Sequence, residues 1–205
     1  MIYVHAALGG VALICGFISL VVKKGGVAHK RFGRWFFYCM LVTAIISAVV
    51  ANMPNHKNYF LFSIGLFSSY FLISGYRSVN FRKKEAGLVP DKVIAVVIVV
   101  VGLTMILYPV LLTGSLNIVL LIFGMIGLLF GARDLSLLRN RPRLRKAWLR
   151  LHLGKMSGGY IAAITAFLVV NQVFPGIWNW FIPTILGTAY ITYWTRKTKK
   201  AKAAS

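Results

Sequence analysis

Asp134 is the acidic residue best placed to take part in chemistry. The chain has only three acidic side chains, and the other two, Glu85 and Asp91, lie in a basic stretch, which argues against a pair of catalytic carboxylates. Asp134 comes directly after a long apolar stretch, where it could reach His152 or Lys155 at the start of the next one. Such a carboxylate is either half of a structural ion pair or one wall of a polar pocket that opens to the cytoplasm. Both interpretations stay open.

Four histidines are candidate ligands for a cofactor. His29 and His152 lie at one end of the predicted apolar helices, while His5 and His56 lie at the other end. Two histidines on the same side of a helical bundle can bind one haem b axially, so His29 and His152 define a haem alternative. All four lie near helix ends rather than at mid-membrane depth, which favours interfacial or supporting roles instead.

Seven apolar stretches would position these side chains. Because the hydrocarbon core of a membrane is about 30 Å thick, a crossing helix needs about 20 residues. The stretches are 2–22, 33–53, 58–78, 91–112, 115–133, 151–173 and 177–195. With 59% hydrophobic and 13% charged residues, the chain lacks the polar surface of a soluble domain. The predicted fold is all-α, a single polytopic membrane domain over 1–205 with a basic tail at 196–205.

The basic residues predict the orientation of this bundle. With seven spans, all of the 24 lysines and arginines except Lys57 fall on one side of the membrane. The positive-inside rule then places the N-terminus outside and the C-terminus in the cytoplasm. We expect a multi-pass membrane protein with no cleavable signal peptide.

The same charges indicate a partner. A net charge of +21 that is gathered on one membrane face favours anionic lipid headgroups over nucleic acid. The segment 141–152 alternates bases with leucine and tryptophan, so it is expected to form an amphipathic helix in the inner interface.

Two glycine pairs predict close helix packing. Gly127 and Gly131 form one pair with the Gly-x-x-x-Gly spacing, and Gly154 and Gly158 form the other. This spacing lets membrane helices approach closely, although a smooth wall beside a flat ligand is the alternative. The two cysteines lie in apolar stretches and are expected to be buried free thiols.

Several segments resemble a family of small bacterial polytopic membrane proteins of unknown function. They are WLRLHLGKMSGGYIAAITAFLVVN (148–171), YFLISGYR (70–77), GARDL (131–135), HKRFGRW (29–35) and WFIPTILGT (180–188). The resemblance covers most of the chain and implies a bacterial inner-membrane protein. It implies no activity, substrate or cofactor.

These observations favour a protein that binds or translocates a small molecule or ion. The predicted site is a cytoplasm-side polar cluster of His29, Asp134, His152 and Lys155, with His5 near the outer mouth. One alternative is a b-type haem membrane oxidoreductase with histidine ligands. Another is a structural or regulatory protein whose basic face engages anionic lipid. No residue is assigned a catalytic role, and the sequence leans away from an enzyme.

Overall fold

The computed structural model describes residues 2–53 and 57–203, and every regular element in these ranges is helical. This confirms the all-α prediction. A short 3-10 helix, Ser78–Arg82, follows the third α-helix. The α-helices are α1 (Ile2–Val21), α2 (Val27–Val50), α3 (Tyr59–Arg77), α4 (Val89–Thr113), α5 (Ile118–Leu138), α6 (Arg141–Asn171) and α7 (Trp178–Ala203).

Six helices in the described ranges, α1 to α6, are long and apolar enough to cross a membrane. The chain is therefore a multi-pass membrane protein. Helix α7 has 26 residues but is not among the six; its first part is rich in Trp, Tyr and Thr and contains Asn179, and its C-terminal part is basic. The seventh span stays a prediction.

Helix α6 differs from its predicted form. A span over 151–173 and a separate amphipathic segment were expected, but one continuous helix of 31 residues begins at Arg141, with the Asn140 side chain accepting a hydrogen bond from the Arg143 N–H. Such a helix is about 46 Å long, which exceeds the hydrocarbon thickness. Its first turns are held by Leu144 and Ala147, which are buried in the bundle, so this segment packs against protein.

Helix α3 is the centre of the bundle. It contacts α2, α4, α5 and α6, whereas α1 packs mainly on α2, and α7 on α6. Short connections join neighbouring helices at each end. We call the end that carries the connections 22–26, 78–88 and 139–140 the basic end. There, Arg141 donates hydrogen bonds to the carbonyl oxygens of Lys84 (3.2 Å) and Ala86 (3.4 Å) and so joins two of the connections.

Helices α4 and α5 approach closely along glycines. A Cβ atom added to Gly102 would lie 2.7 Å from the Gly124 carbonyl oxygen. Atoms added to Gly127 and Gly131 would lie 3.2 Å and 3.0 Å from carbonyl oxygens of α4. The packing interpretation is therefore correct for α5. It is wrong for Gly154, where an added Cβ meets nothing within 4 Å.

Candidate functional site

Asp134 lies between two polar side chains from other helices. The Tyr70 hydroxyl donates a hydrogen bond of 2.7 Å to Asp134 Oδ2, and the Lys155 ammonium forms an ion pair with the same oxygen. Lys155 Nζ also donates to the Tyr70 hydroxyl oxygen at 3.2 Å. The side chains of Lys155 and Asp134 are only 9% and 13% exposed. The predicted contact between Asp134 and Lys155 is confirmed, and Tyr70 is a member that the sequence analysis missed.

Three helices position this triad. Tyr70 belongs to α3, Asp134 to α5 and Lys155 to α6. Helix α5 runs on to Leu138, so Asp134 lies inside it rather than beyond its predicted end at 133. Helices α3 and α6 can approach because α3 has Gly75 at their contact, where an added Cβ would lie 3.0 Å from the Lys155 Cβ.

A second ion pair lies closer to the basic end. Arg77 Nε and Nη2 donate to the two carboxylate oxygens of Asp91, each at 2.8 Å, and Nη2 also donates to the Gly87 carbonyl oxygen at 3.4 Å. The Asp91 side chain is 4% exposed. Asp91 was expected among the solvated bases at the edge of the predicted span 91–112, which is wrong, because α4 begins at Val89 and the Asp91 side chain is buried in the bundle.

A small cavity separates the two ion pairs. Its polar lining comprises Ser74, Ser78, Asp91, Asp134 and Lys155, and the remaining lining is apolar. The centre of a water molecule can occupy a volume of about 20 Å³ inside this cavity. That is room for about one water, which needs two to four polar partners. The lining can supply these partners, but the cavity is too small for an organic ligand.

His29 and His152 form a separate pair. Their ring centroids are 6.4 Å apart and their planes are 78° from parallel. His29 Nδ1 lies 3.0 Å from the Ser19 carbonyl oxygen, and His152 Nδ1 lies 2.9 Å from that of Gly75. Lys24 Nζ donates to the Ser19 carbonyl at 3.0 Å, and burial lowers the pKa of this lysine.

The predicted cluster therefore divides into two pairs. Asp134 contacts Lys155, and His29 contacts His152, but among the described residues no hydrogen bond joins one pair to the other. We expected the inner ends of α5 and α6 to bring Asp134 and His152 together. Instead, the ring of His152 is bound by the Gly75 carbonyl of α3.

His5 lies away from the other candidates. It is in the first turns of α1, and its Nδ1 lies 3.1 Å from the Thr43 carbonyl oxygen of α2. Ser19, next to His29, is about 21 Å further along α1 at 1.5 Å per residue. His5 thus stands near the end opposite to the basic end, as predicted. His56, the other histidine predicted on that side, lies outside the described residues.

Few side chains in the described ranges could bind a metal. These ranges contain no group of three or more His, Cys, Asp and Glu side chains that could hold a metal ion. His29 and His152 are the two that could act as a pair of axial ligands. Their Nδ1 contacts with backbone carbonyls would leave Nε2 of each ring to face a metal.

No protein-family model, curated protein or solved structure matches this chain. The resemblance to a bacterial membrane family therefore stays a proposal. The function has to be argued from the geometry of the polar groups at the basic end.

Proposed function

We propose that this membrane protein binds and translocates a small cation, and that Asp134 is its binding site. The observation that carries this proposal is the triad of Asp134, Lys155 and Tyr70, buried in an apolar bundle beside a water-sized cavity. Ionisable groups inside membrane helices cost free energy, and they typically mark ion pathways and proton relays. The size of the cavity favours an ion over a larger molecule.

The geometry of the triad allows a cation to replace the Lys155 ammonium at Asp134. Lys155 and Tyr70 both bind Oδ2 of Asp134, and the carboxylate also lines the cavity. A cation that reaches Asp134 from the cavity competes with the Lys155 ammonium for this carboxylate. When the cation leaves, Lys155 restores the neutral pair. The empty site is therefore neutral, and the bundle carries one net positive charge only while a cation is bound.

The proposed orientation of the bundle in the membrane follows from the position of the basic end. We propose that α7 is a seventh span, that the basic end faces the cytoplasm and that the membrane is a bacterial inner membrane. The clustering of lysine and arginine in the connections at this end supports this orientation. The cavity then opens on the cytoplasmic side, and the apolar half of the bundle separates it from the outside.

The test measures flux in vesicles that contain the purified protein. Proton, sodium and rubidium entry is followed separately under an imposed membrane potential for the wild type and for Asp134→Asn. We expect Asp134→Asn to lower the flux of one of these cations about a hundredfold, because the carboxylate that binds the ion is lost. This change in rate corresponds to about 3 kcal/mol in activation free energy. The matched control is Glu85→Gln, the same chemical change at an exposed loop position, which should leave flux unchanged.

One result would overturn the proposal. If Asp134→Asn elutes as the wild type does on size exclusion and carries all three cations at the wild-type rate, Asp134 is not the binding site. In that case the triad only ties α3, α5 and α6 together.

A second candidate function is a b-type haem oxidoreductase. The observation in its favour is the 6.4 Å spacing of the His29 and His152 rings, with Nδ1 of each at a backbone carbonyl, as in many metal-binding histidines. The purified protein should then show a reduced-minus-oxidised Soret band that is lost in His152→Ala. A colourless preparation, even after expression with added haem, would remove this candidate.

A further inference from the structure

We infer that the translocated cation is a proton and that its route continues along one face of α3, from Tyr70 past Phe67 to Ser63. This inference rests on the proposed function and adds the identity of the ion, the path beyond the triad and its gate. The face is defined by Ser63, Phe67, Tyr70, Ser74 and Ser78, which recur at the helical spacing of three or four residues. All five are buried, and none is more than 7% exposed.

The composition of the cavity favours a proton over a metal cation. Sodium-like ions need several oxygen ligands in a cage, whereas of the two carboxylates here Asp91 is held by Arg77 through both oxygens. A proton needs only one acceptor and one water. The Asp134 carboxylate is the acceptor, and the cavity beside it has room for the water.

Hydroxyl groups extend the route on both sides of the triad. On the basic side, Ser74 and Ser78 line the cavity; their hydroxyls donate to the backbone carbonyls of Tyr70 and Gly75, so their oxygens can accept a hydrogen bond from a water there. On the other side, Ser63 is fully buried, and its hydroxyl has no hydrogen-bond partner among the described residues. A buried hydroxyl without a partner is costly and rare, and a water or an ion is a common explanation. Ser63 is about 10 Å from Tyr70 along the helix axis, a gap that a short chain of waters can bridge.

Phe67 stands between these two hydroxyls. It is 2% exposed, and its ring centroid lies 5.3 Å from that of Phe123. Its ring also packs so closely on α5 that a Cβ atom added to Gly127 would lie 3.1 Å from its Cζ atom. An apolar constriction of this kind keeps water out and so closes a proton path. Rotation of the Phe67 ring would let water join Tyr70 to Ser63.

The proton transfer conserves atoms and charge. A proton from the basic side reaches Asp134 through the cavity water, which gains one proton as it passes one on and so stays water, and the Lys155 ammonium is released from this carboxylate into the cavity. The Tyr70 hydroxyl, which at rest donates to Asp134, turns to donate to a water on the Phe67 side, so that its oxygen accepts a hydrogen bond from the protonated Asp134. Asp134 then gives its proton to the Tyr70 hydroxyl oxygen while Tyr70 gives its own hydroxyl proton to that water, which becomes hydronium. Tyr70 ends with the same number of protons, Asp134 is again a carboxylate, and Lys155 returns to it. The bond along which this exchange runs is the 2.7 Å hydrogen bond between Tyr70 and Asp134.

Two matched pairs of variants test the route in vesicles with an internal pH-sensitive dye. Ser63→Ala should lower proton flux about tenfold, the effect of one hydrogen bond lost from the transition state. Ser68→Ala should leave flux unchanged, because Ser68 is equally buried on α3 but lies on another face. Phe67→Leu should raise proton flux about tenfold by widening the constriction. Phe36→Leu, the same change on α2 in the core cluster that joins α1, α2, α3 and α6, should not raise the flux.

The outcomes separate this inference from the proposed function. If Asp134→Asn stops sodium or rubidium flux while proton flux is unaffected, the proposed function stands and the proton is the wrong ion. If Asp134→Asn stops proton flux but Ser63→Ala and Phe67→Leu behave as their controls do, the route along α3 is wrong. If Asp134→Asn changes no flux, the proposed function itself fails.

Discussion

Removing the charge of Lys155 tests the central ion pair most directly. In Lys155→Met, the Asp134 carboxylate keeps the Tyr70 hydroxyl but loses its only ammonium partner among the described residues. Breaking a buried pair in this way costs about 3–5 kcal/mol. Because Asp134 is 13% exposed and lines a cavity that can hold water, we expect the lower end, about 3 kcal/mol.

The double variant separates the pair from the rest of the packing. Asp134→Leu with Lys155→Met removes both charges and keeps similar side-chain volumes, but the buried Tyr70 hydroxyl loses its acceptor, so the unfolding free energy should fall by about 1–3 kcal/mol. The free energies of unfolding lost in the single variants Lys155→Met and Asp134→Leu should therefore add up to several kcal/mol more than the loss in the double variant, as for residues in direct contact. Lys23→Met, the same change at an exposed position, serves as the control.

The assay is reversible unfolding in mixed micelles, followed by circular dichroism for all four variants. If Lys155→Met lies within about 0.5 kcal/mol of the wild type, which is the range of ordinary surface substitutions, then Lys155 and Asp134 are not a buried pair. Flux measured on the stable double variant adds the functional part. A stable protein without flux supports translocation at Asp134, whereas a stable protein with normal flux leaves the pair without that role.

Three further predictions concern packing, topology and lipid. Gly124→Ala should destabilise the bundle by about 1–3 kcal/mol in the same unfolding assay, because its Cβ meets a carbonyl oxygen of α4 at 2.7 Å, while Gly154→Ala should be neutral or stabilising. Reporter fusions after Lys84 and Asn140 should lie in the cytoplasm and one at Asn55 in the periplasm; a cytoplasmic signal at Asn55 would contradict the seven-span topology. Replacing three exposed bases of the first turns of α6 by Gln should weaken flotation with anionic vesicles at an unchanged melting temperature, and unchanged flotation would leave these charges with a topological role alone. The three bases are Arg143, Arg145 and Lys146.

The sequence was sufficient to predict the helices and one contact of the site. Apolar stretches of about 20 residues have a strong signal, since a bilayer-spanning segment must satisfy its backbone internally as a helix. The pairing of Asp134 with Lys155 could be expected because a carboxylate in an apolar bundle needs a basic partner, and Lys155 is one of the few bases close to the apolar spans. The sequence could not show which residue of α6 would face Asp134, and in the structure His152 faces α3 instead.

Tyr70 and Asp91 were missed for different physical reasons. Tyr70 lies in an aromatic-rich span, where aromatic rings usually contact lipid or fill the core. The available signal was the row of hydroxyl residues at helical spacing that Tyr70 shares with Ser63, Ser74 and Ser78. Asp91 precedes Lys92 in a stretch rich in bases, so it resembled a solvated loop residue. Helix α4 begins at Val89, two residues before its predicted start, so Asp91 lies within its first turn, and the composition of this stretch does not show which face of that turn packs on the bundle.

The two ion pairs share a cavity but differ in ways that assign them different roles. Arg77 binds Asp91 through two parallel hydrogen bonds and also binds Gly87, and this planar geometry holds the connection between α3 and α4 in place. Lys155 binds Asp134 through one carboxylate oxygen, which it shares with a hydroxyl that can both accept and donate a proton. A lysine on a flexible stem can leave and return, whereas a bidentate arginine resists displacement. The pair that can open is therefore the one next to the buried hydroxyls of α3, and the pair that stays closed forms the wall of the cavity on the basic side.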